Sequence, residues 1–238
     1  MTIPAPLALI GGTSLLESDL FRRAERQRWS TPFGEVEWLR QGDLIFLQRH
    51  GLDHYTPPHR INHHVHLMAL KEAGVARIAA VGSVGSLHLD IPPGTFLFPD
   101  DFYAPQVNPT FFDDVRGHRA PGFSLPWREE MMAAWRRAGL KGAIESGVYW
   151  QTTGPRFETP AEIRFHQSAA HVVGMTVASE CILAGELGLD YAAVCMVDNF
   201  ANGVAGEPLS FEGFKAQVRA NGETIRHAIG SLLAVLQG

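Results

Sequence analysis

The sequence predicts an α/β fold: a single domain over residues 1–238, with a central mixed β-sheet flanked by helices. Three observations predict it. Apolar runs of strand length stop abruptly at glycine and polar residues. These runs alternate with helix-length amphipathic segments, the pattern of a mixed or mostly parallel sheet covered on both faces. Finally, 238 residues with 45% apolar content suffice for one substantial core and are short for two.

The first strand is Leu7 to Ile10, which breaks at Gly11-Gly12-Thr13. A second, Leu44 to Gln48, ends at Arg49-His50-Gly51. Asn62 to Ala73 reads as an amphipathic helix, and the strand Ala76 to Val81 after it ends at Gly82-Ser83-Val84-Gly85-Ser86. The alternation continues with a strand at Thr95 to Phe98, a helix at Trp127 to Ala138 and a strand at Gly147 to Gln151. A helix opens at Thr159-Pro160-Ala161-Glu162, where Thr159 and Glu162 have capping-box spacing. Then come a short strand at Val172-Val173, a helix from Ala178 to Leu187, a strand from Tyr191 to Val197, and one long terminal helix from Phe211 to Leu236. Ala104 to Pro126 is rich in Pro, Gly and Asp without a period, so it reads as a long loop of functional or interfacial kind.

Composition narrows the class. The net charge is −5, with 20 Lys and Arg scattered against 25 Asp and Glu, so no basic stripe is available to hold a nucleic-acid backbone. Cys181 and Cys195 are the two cysteines, both in apolar stretches, which predicts buried reduced thiols and neither a disulfide framework nor a structural zinc site. No stretch approaches the ~18 apolar residues of a membrane span, and no secretory leader is visible. The expectation is a cytoplasmic protein without membrane or nucleic-acid partners, acting on a small molecule.

In open α/β sheets ligands bind beyond the carboxyl ends of the strands. Gly12-Thr13, Arg49-His50, Gly82-Ser83 and Thr176 lie at such ends. Glycine admits backbone N–H groups to an anion, hydroxyls donate, and an arginine offers a planar cationic fork, so together these describe an anion cradle. Neither a P-loop nor a GxGxxG fingerprint is present, which points to a free anion such as phosphate. Each element alone is also ordinary turn chemistry. Phe157-Glu158 follows a strand end, where an aromatic face and a carboxylate suit a heterocyclic base, although the same residues suit a helix start. Asn199 closes another strand and offers a donor and an acceptor together. His59, His63 and His66 have helical spacing, but at a helix start such histidines are commonly solvated, and no metal site is expected.

The ordered set Ile10-Gly11-Gly12-Thr13, Thr31-Pro32-Phe33-Gly34, Arg49-His50-Gly51, Ile61-Asn62, Met68-Ala69-Leu70-Lys71, Gly85-Ser86-Leu87, Gly154-Pro155-Arg156-Phe157-Glu158, Gly174-Met175-Thr176 and Glu180 resembles the trimeric purine nucleoside phosphorylases and methylthioadenosine phosphorylases over nearly the whole chain. The resemblance implies phosphate contacts at Thr13, Arg49, His50, Ser83 and Thr176. It implies ribose packing by Met175, a 5′-substituent contact by His54, and base reading by Phe157, Glu158 and Asn199. Asn199, Glu158 and Arg49 carry the catalysis in that reading.

Phosphate is then a co-substrate, no cofactor is needed, and the assembly is a homotrimer or a hexamer, with Ala104 to Pro126 an interface loop. Glu158, Asn199 and Ala201 favour a 6-oxopurine, as in the methylthioinosine phosphorylase branch. A methylthioadenosine phosphorylase and a non-catalytic nucleoside-binding protein are the alternatives. Gly82, Ser83, Ser179 and Asp198 depart from the family pattern.

Overall fold

The structure is a computed structural model that describes residues 5–15, 19–206 and 209–238. Among these, ten strands share one mixed sheet. They are β1 (Leu7–Gly11), β2 (Glu25–Thr31), β3 (Gly34–Gln41), β4 (Leu44–Gln48), β5 (Arg77–Ser86), β6 (Phe96–Leu97), β7 (Asp101–Tyr103), β8 (Val148–Gln151), β9 (Val172–Gly174) and β10 (Asp190–Phe200). The order is β2-β3-β4-β1-β5-β9-β8-β7, and β10 lies along β5 and carries β6. Strands β1, β4, β5 and β10 run parallel, so their carboxyl ends open on one edge.

Six helices cover the sheet: α1 (His63–Glu72), α2 (Leu125–Arg137), α3 (Pro160–His166), α4 (Val177–Glu186), α5 (Phe211–Ala220) and α6 (Gly222–Gln237). One face of the sheet packs Val65, Leu67, Leu70, Val177 and Leu183 of α1 and α4 against Ile10, Ile78 and Val197. The other packs Trp127, Trp135, Ile225, Ile229 and Leu232 of α2 and α6 against Leu9, Phe46 and Val194. A fully buried leucine or isoleucine contributes roughly 1.5–3 kcal/mol, so these two layers hold the strand ends in fixed positions.

The expected capping box is present, formed reciprocally by Thr159 and Glu162, and Asn62, before the first residue of α1, accepts from Val65 N at 3.1 Å. Both cysteines are free and buried, as composition implies.

Five expectations change. The hairpin β2–β3 is not among the expected elements, because β2 is a polar edge strand and in β3 only Val36 and Trp38 are buried. Gly82–Ser86 is not a turn: β5 continues to Ser86, because β10 pairs with it along its length. In the same way β10 runs through Asn199 to Phe200, with a bulge between Val197 and Asn199. The terminal helix is two helices that meet at Asn221, whose side chain donates to Asp198 Oδ1 at 2.9 Å. Helix α2 also starts at Leu125, earlier than expected, with Pro126 in its first turn. The segment from Ala104 to the start of α2 holds a single 3₁₀ turn, Val115–Gly117, and with Ile182, Gly185 and Glu186 of α4 it borders a cavity of about 430 Å³.

Candidate active site

At the open ends of β1, β4, β5 and β10 lies a cavity of about 280 Å³. Thr13, Arg49, His50, Ser83, Phe157, Glu158, Met175, Thr176 and Asn199 all line it. Residues far apart in the chain are thus brought together. His54 is not: it is exposed, while its neighbours Tyr55, Pro57 and Pro58 form the wall.

Arg49 is the most constrained of these side chains. It is 2% exposed and donates Nε to Glu180 Oε1 at 2.6 Å, Nη2 to Glu180 Oε2 at 3.0 Å, and Nη1 to the Val81 carbonyl at 2.7 Å. Tyr191 also donates its hydroxyl to Glu180 Oε2 at 2.7 Å. Burial alone would lower the pKa of Arg49, but the Glu180 charge and its hydrogen bonds outweigh burial and raise it. Guanidinium has five N–H hydrogens. The three bonds above leave a hydrogen on each terminal nitrogen for an anion. Gly12 is required beside it, because a Cβ there would collide with Arg49 Nη1.

His50 is 3% exposed, and its pKa falls to about 4, chiefly through burial and with help from Arg49, against an opposing bond to Thr56. Its Nδ1 lies 2.8 Å from the Thr56 carbonyl, which can only accept, so Nδ1 carries the proton and Nε2 is an acceptor. Thr13 Oγ1 stands 3.4 Å from that Nε2. The ring stacks on Tyr55.

His63 and His66 contradict the expectation of solvated histidines. Each has a buried Nδ1 without a hydrogen-bond partner, and burial, reinforced by neighbouring positive groups, lowers both pKa values to about 3. Apolar packing of α1 against α4 outweighs their polarity. Among the described residues no group of three or more metal-binding side chains occurs.

Thr176 caps α4 without using its side chain, which leaves its hydroxyl to the cavity. The Tyr149 hydroxyl accepts from Thr176 N at 3.2 Å instead. Ser179, one of the departures, has a local explanation. Its N–H donates to Gln151 Oε1 at 3.0 Å and its hydroxyl accepts from Gln151 Nε2 at 2.6 Å, and a proline there would offer neither group.

Ser83 and Asp198, two further departures, are one feature, because the Ser83 hydroxyl donates to Asp198 Oδ2. Burial pushes the Asp198 carboxyl upward, opposed by its bonds to Ser83, Asn221 and Ser14.

The other end of the cavity is built differently. Glu158 is buried, and burial raises its pKa. Thr152 donates to Glu158 Oε1 at 2.6 Å, leaving Oε2 available. Asn199 donates Nδ2 to the Phe200 carbonyl at 2.6 Å and keeps its oxygen and its second N–H. Phe157 meets Phe214 edge to face at 5.7 Å, and Leu209, Phe211 and Phe214 complete an apolar wall. Sequence reasoning missed that wall, although Phe211 and Phe214 already stand at helical i, i+3 spacing. It also missed Thr152, Tyr191, Tyr55 and the partners of Asp198, which only long-range packing brings into place.

The molecule is an α/β protein with a cavity at the tips of its parallel strands, lined by a buried arginine and by aromatic side chains. The chain belongs to the phosphorylase superfamily, whose family model matches residues 6–234. It is 37% identical to a protein of Archaeoglobus fulgidus named "Probable 6-oxopurine nucleoside phosphorylase", over 90% of each chain. It is 38% identical to a Methanothermobacter thermautotrophicus protein named "Probable S-methyl-5'-thioinosine phosphorylase", over 87% of this chain and 75% of that one. It is 36% identical to the 6-oxopurine nucleoside phosphorylase of Pyrococcus furiosus, over 86% and 83% of the two chains. In fold it matches the methylthioadenosine phosphorylase of Schistosoma mansoni in complex with adenine, with a TM-score of 0.85 over 98% of this chain and 92% of that one, at 24% identity.

Proposed function

We propose that this protein is a purine nucleoside phosphorylase that cleaves the N-glycosidic bond of a 6-oxopurine nucleoside with inorganic phosphate. The observation that carries the reading is one cavity lined both by Arg49, Thr13 and Thr176 and by Glu158 and Asn199. Phosphate held by the first group attacks C1′ of the sugar. The C1′–O bond forms as the C1′–N9 bond breaks, and the electron pair of that bond leaves on the purine. Negative charge therefore builds on the base during the reaction, and a donor fixed near it acts mainly in the transition state. Asn199 supplies that donor, while Glu158 accepts from the ring N1–H that a 6-oxopurine carries and an adenine lacks. Met175 packs on the ribose.

Positioning and electrostatics do the work, with no cofactor and with phosphate as substrate. Relatives named for 6-oxopurine nucleosides and for methylthioinosine share the 6-oxo base, which supports the base assignment over a methylthioadenosine reading. A homotrimer or hexamer in the cytoplasm, with the segment from Ala104 to Pro126 between subunits, belongs to the same reading. Among the described residues no helix is long and apolar enough to cross a membrane.

Base release measured with and without phosphate tests the proposal, using inosine, adenosine and their 5′-methylthio analogues. The expected outcome is phosphate-dependent release from the 6-oxo pair. Phosphate-independent release, or a preference for the 6-amino pair, overturns it.

A further inference from the structure

Asp198 is fully buried and lies just behind the cavity wall, not in it. Three donors from three elements converge on its carboxylate. Ser83 Oγ of β5 donates to Oδ2, Ser14 Oγ of the turn after β1 donates to Oδ2 at 3.1 Å, and Asn221 Nδ2 at the α5–α6 junction donates to Oδ1 at 2.9 Å. All three partners are neutral, and no charged side chain among the described residues forms an ion pair with this carboxylate. A buried carboxylate without a cation must keep its hydrogen-bond donors.

The consequence lies on the cavity side of Ser83. A hydroxyl has one hydrogen. Once that hydrogen is committed to Asp198, the Ser83 oxygen offers only lone pairs to a ligand. Ser83 lines the same cavity as Arg49 and Thr176, and it shares Asp198 Oδ2 with Ser14, the chain neighbour of Thr13. That part of the cavity, the anion end in the proposed reading, therefore combines donors with one fixed acceptor. Hydrogen phosphate carries a P–OH hydrogen that can satisfy such an acceptor. Sulfate has the same size and shape but carries no hydrogen, so its oxygen would face the Ser83 lone pairs.

We infer that Asp198, acting through Ser83, is a positioning residue that makes the anion end select a protonated tetrahedral oxyanion, hydrogen phosphate, over an unprotonated one such as sulfate. The inference rests on the proposed reading in that it takes this end of the cavity as the phosphate site.

Asp198→Asn is the discriminating variant. Asn221 needs an acceptor at the Oδ1 position, so the new amide keeps its oxygen there and turns its NH₂ toward Ser14 and Ser83. Ser83 then accepts from that NH₂, and its own hydrogen is free to point into the cavity. Calorimetric titration of the full-length chain with inorganic phosphate and with sulfate reads the effect directly. It is done at matched ionic strength and above the second ionisation of phosphate, where both anions carry two negative charges. The wild type is expected to bind phosphate about tenfold or more tightly than sulfate, the scale of one mismatched buried hydrogen bond, and the variant to narrow that gap to about threefold or less.

Removing a negative charge, or loosening the site, changes both anions together and leaves their ratio alone. An unchanged ratio in the variant, or a wild type that does not discriminate, overturns the inference. Should Asp198→Asn fail to fold, Ser83→Ala removes the acceptor while leaving Ser14 and Asn221 on Asp198, and it too must lose discrimination. Discrimination intact in that variant is equally fatal. Phosphate-dependent cleavage without anion discrimination sinks this inference alone. Discrimination without any cleavage sinks the proposed enzyme function and leaves the inference standing.

Discussion

The two ends of the cavity are built to different standards. At the anion end Arg49, His50, Thr176 and the supporting Glu180 are all buried, and each is fixed by a strand, a carbonyl or another side chain. Around Phe157 the fixing is uneven: Glu158 is buried and held by Thr152, but Asn199 is only part-buried, Phe157 meets Phe214 edge to face, and Phe211 is 56% exposed. A small, highly charged ligand needs donors fixed in advance, because every reorganisation in a dry site costs electrostatic energy. A flat aromatic ligand is held by area and two or three polar contacts, and tolerates a wall contributed by a helix.

The largest expected effect falls on the rigid end. From sequence alone, Arg49→Ala is expected to raise the phosphate requirement and leave folding intact, but the ion pair changes that. Losing Arg49 strands Glu180 in the interior, which costs about 3–5 kcal/mol on the usual scale for breaking a buried pair. Urea denaturation is expected to show that loss together with a weakened phosphate response. A variant as stable as the wild type breaks the contrast between the ends.

Acid should act on the same region. His50, His63 and His66 titrate near 4, 3 and 3 in the folded chain, against 6.5 as the ordinary value. Between pH 6.5 and about 4 the unfolded chain therefore binds more protons than the folded one, and stability falls as pH falls. The slope is at most ~1.4 kcal/mol per pH unit for each histidine. Glu158 and Asp198, with raised values, oppose this in part. Melting temperatures at pH 7.5, 6 and 5 are expected to decline in that order, and a flat profile means these histidines are not buried neutral.

At the base end the effects are smaller and concern choice more than folding. Asn199→Asp is expected to shift the ratio of kcat/KM for inosine over adenosine toward adenosine by about tenfold, the worth of one hydrogen bond reversed in sense. Steady-state kinetics on both nucleosides checks it, and an unchanged ratio removes Asn199 from base reading. Phe214→Ala is expected to be the mildest, costing ~1 kcal/mol or less in binding, because its partner Phe157 and the half-exposed Phe211 remain. A severalfold rise in nucleoside KM with kcat and the phosphate response unchanged is the result that sharpens the comparison.

The same contrast explains what was legible in the sequence. Part of the cavity lining is written locally, as glycine and polar residues directly after apolar runs, so the positions of Thr13, Arg49, His50 and Thr176 alone place them at strand tips, and all four line the cavity. The capping signal at Thr159 is equally local. Phe211 and Phe214 reach the cavity on α5, which ends at Asn221. Asn221 donates to Asp198, which in turn is held by Ser14 and Ser83, at sequence separations of 184 and 115 residues. No local pattern carries such a link. The hairpin of β2 and β3 escaped for another reason: edge strands facing solvent are polar, and period-two alternation around Val36 and Trp38 was their only mark.

A crystal structure of the protein soaked with phosphate and hypoxanthine addresses most directly whether one nucleoside spans the two ends. Phosphate is expected on Arg49 and Thr176, with the purine ring between Phe157 and Asn199 and its N1 facing Glu158. Phosphate bound away from Arg49, or a base seated with its six-membered ring turned from Glu158, contradicts it.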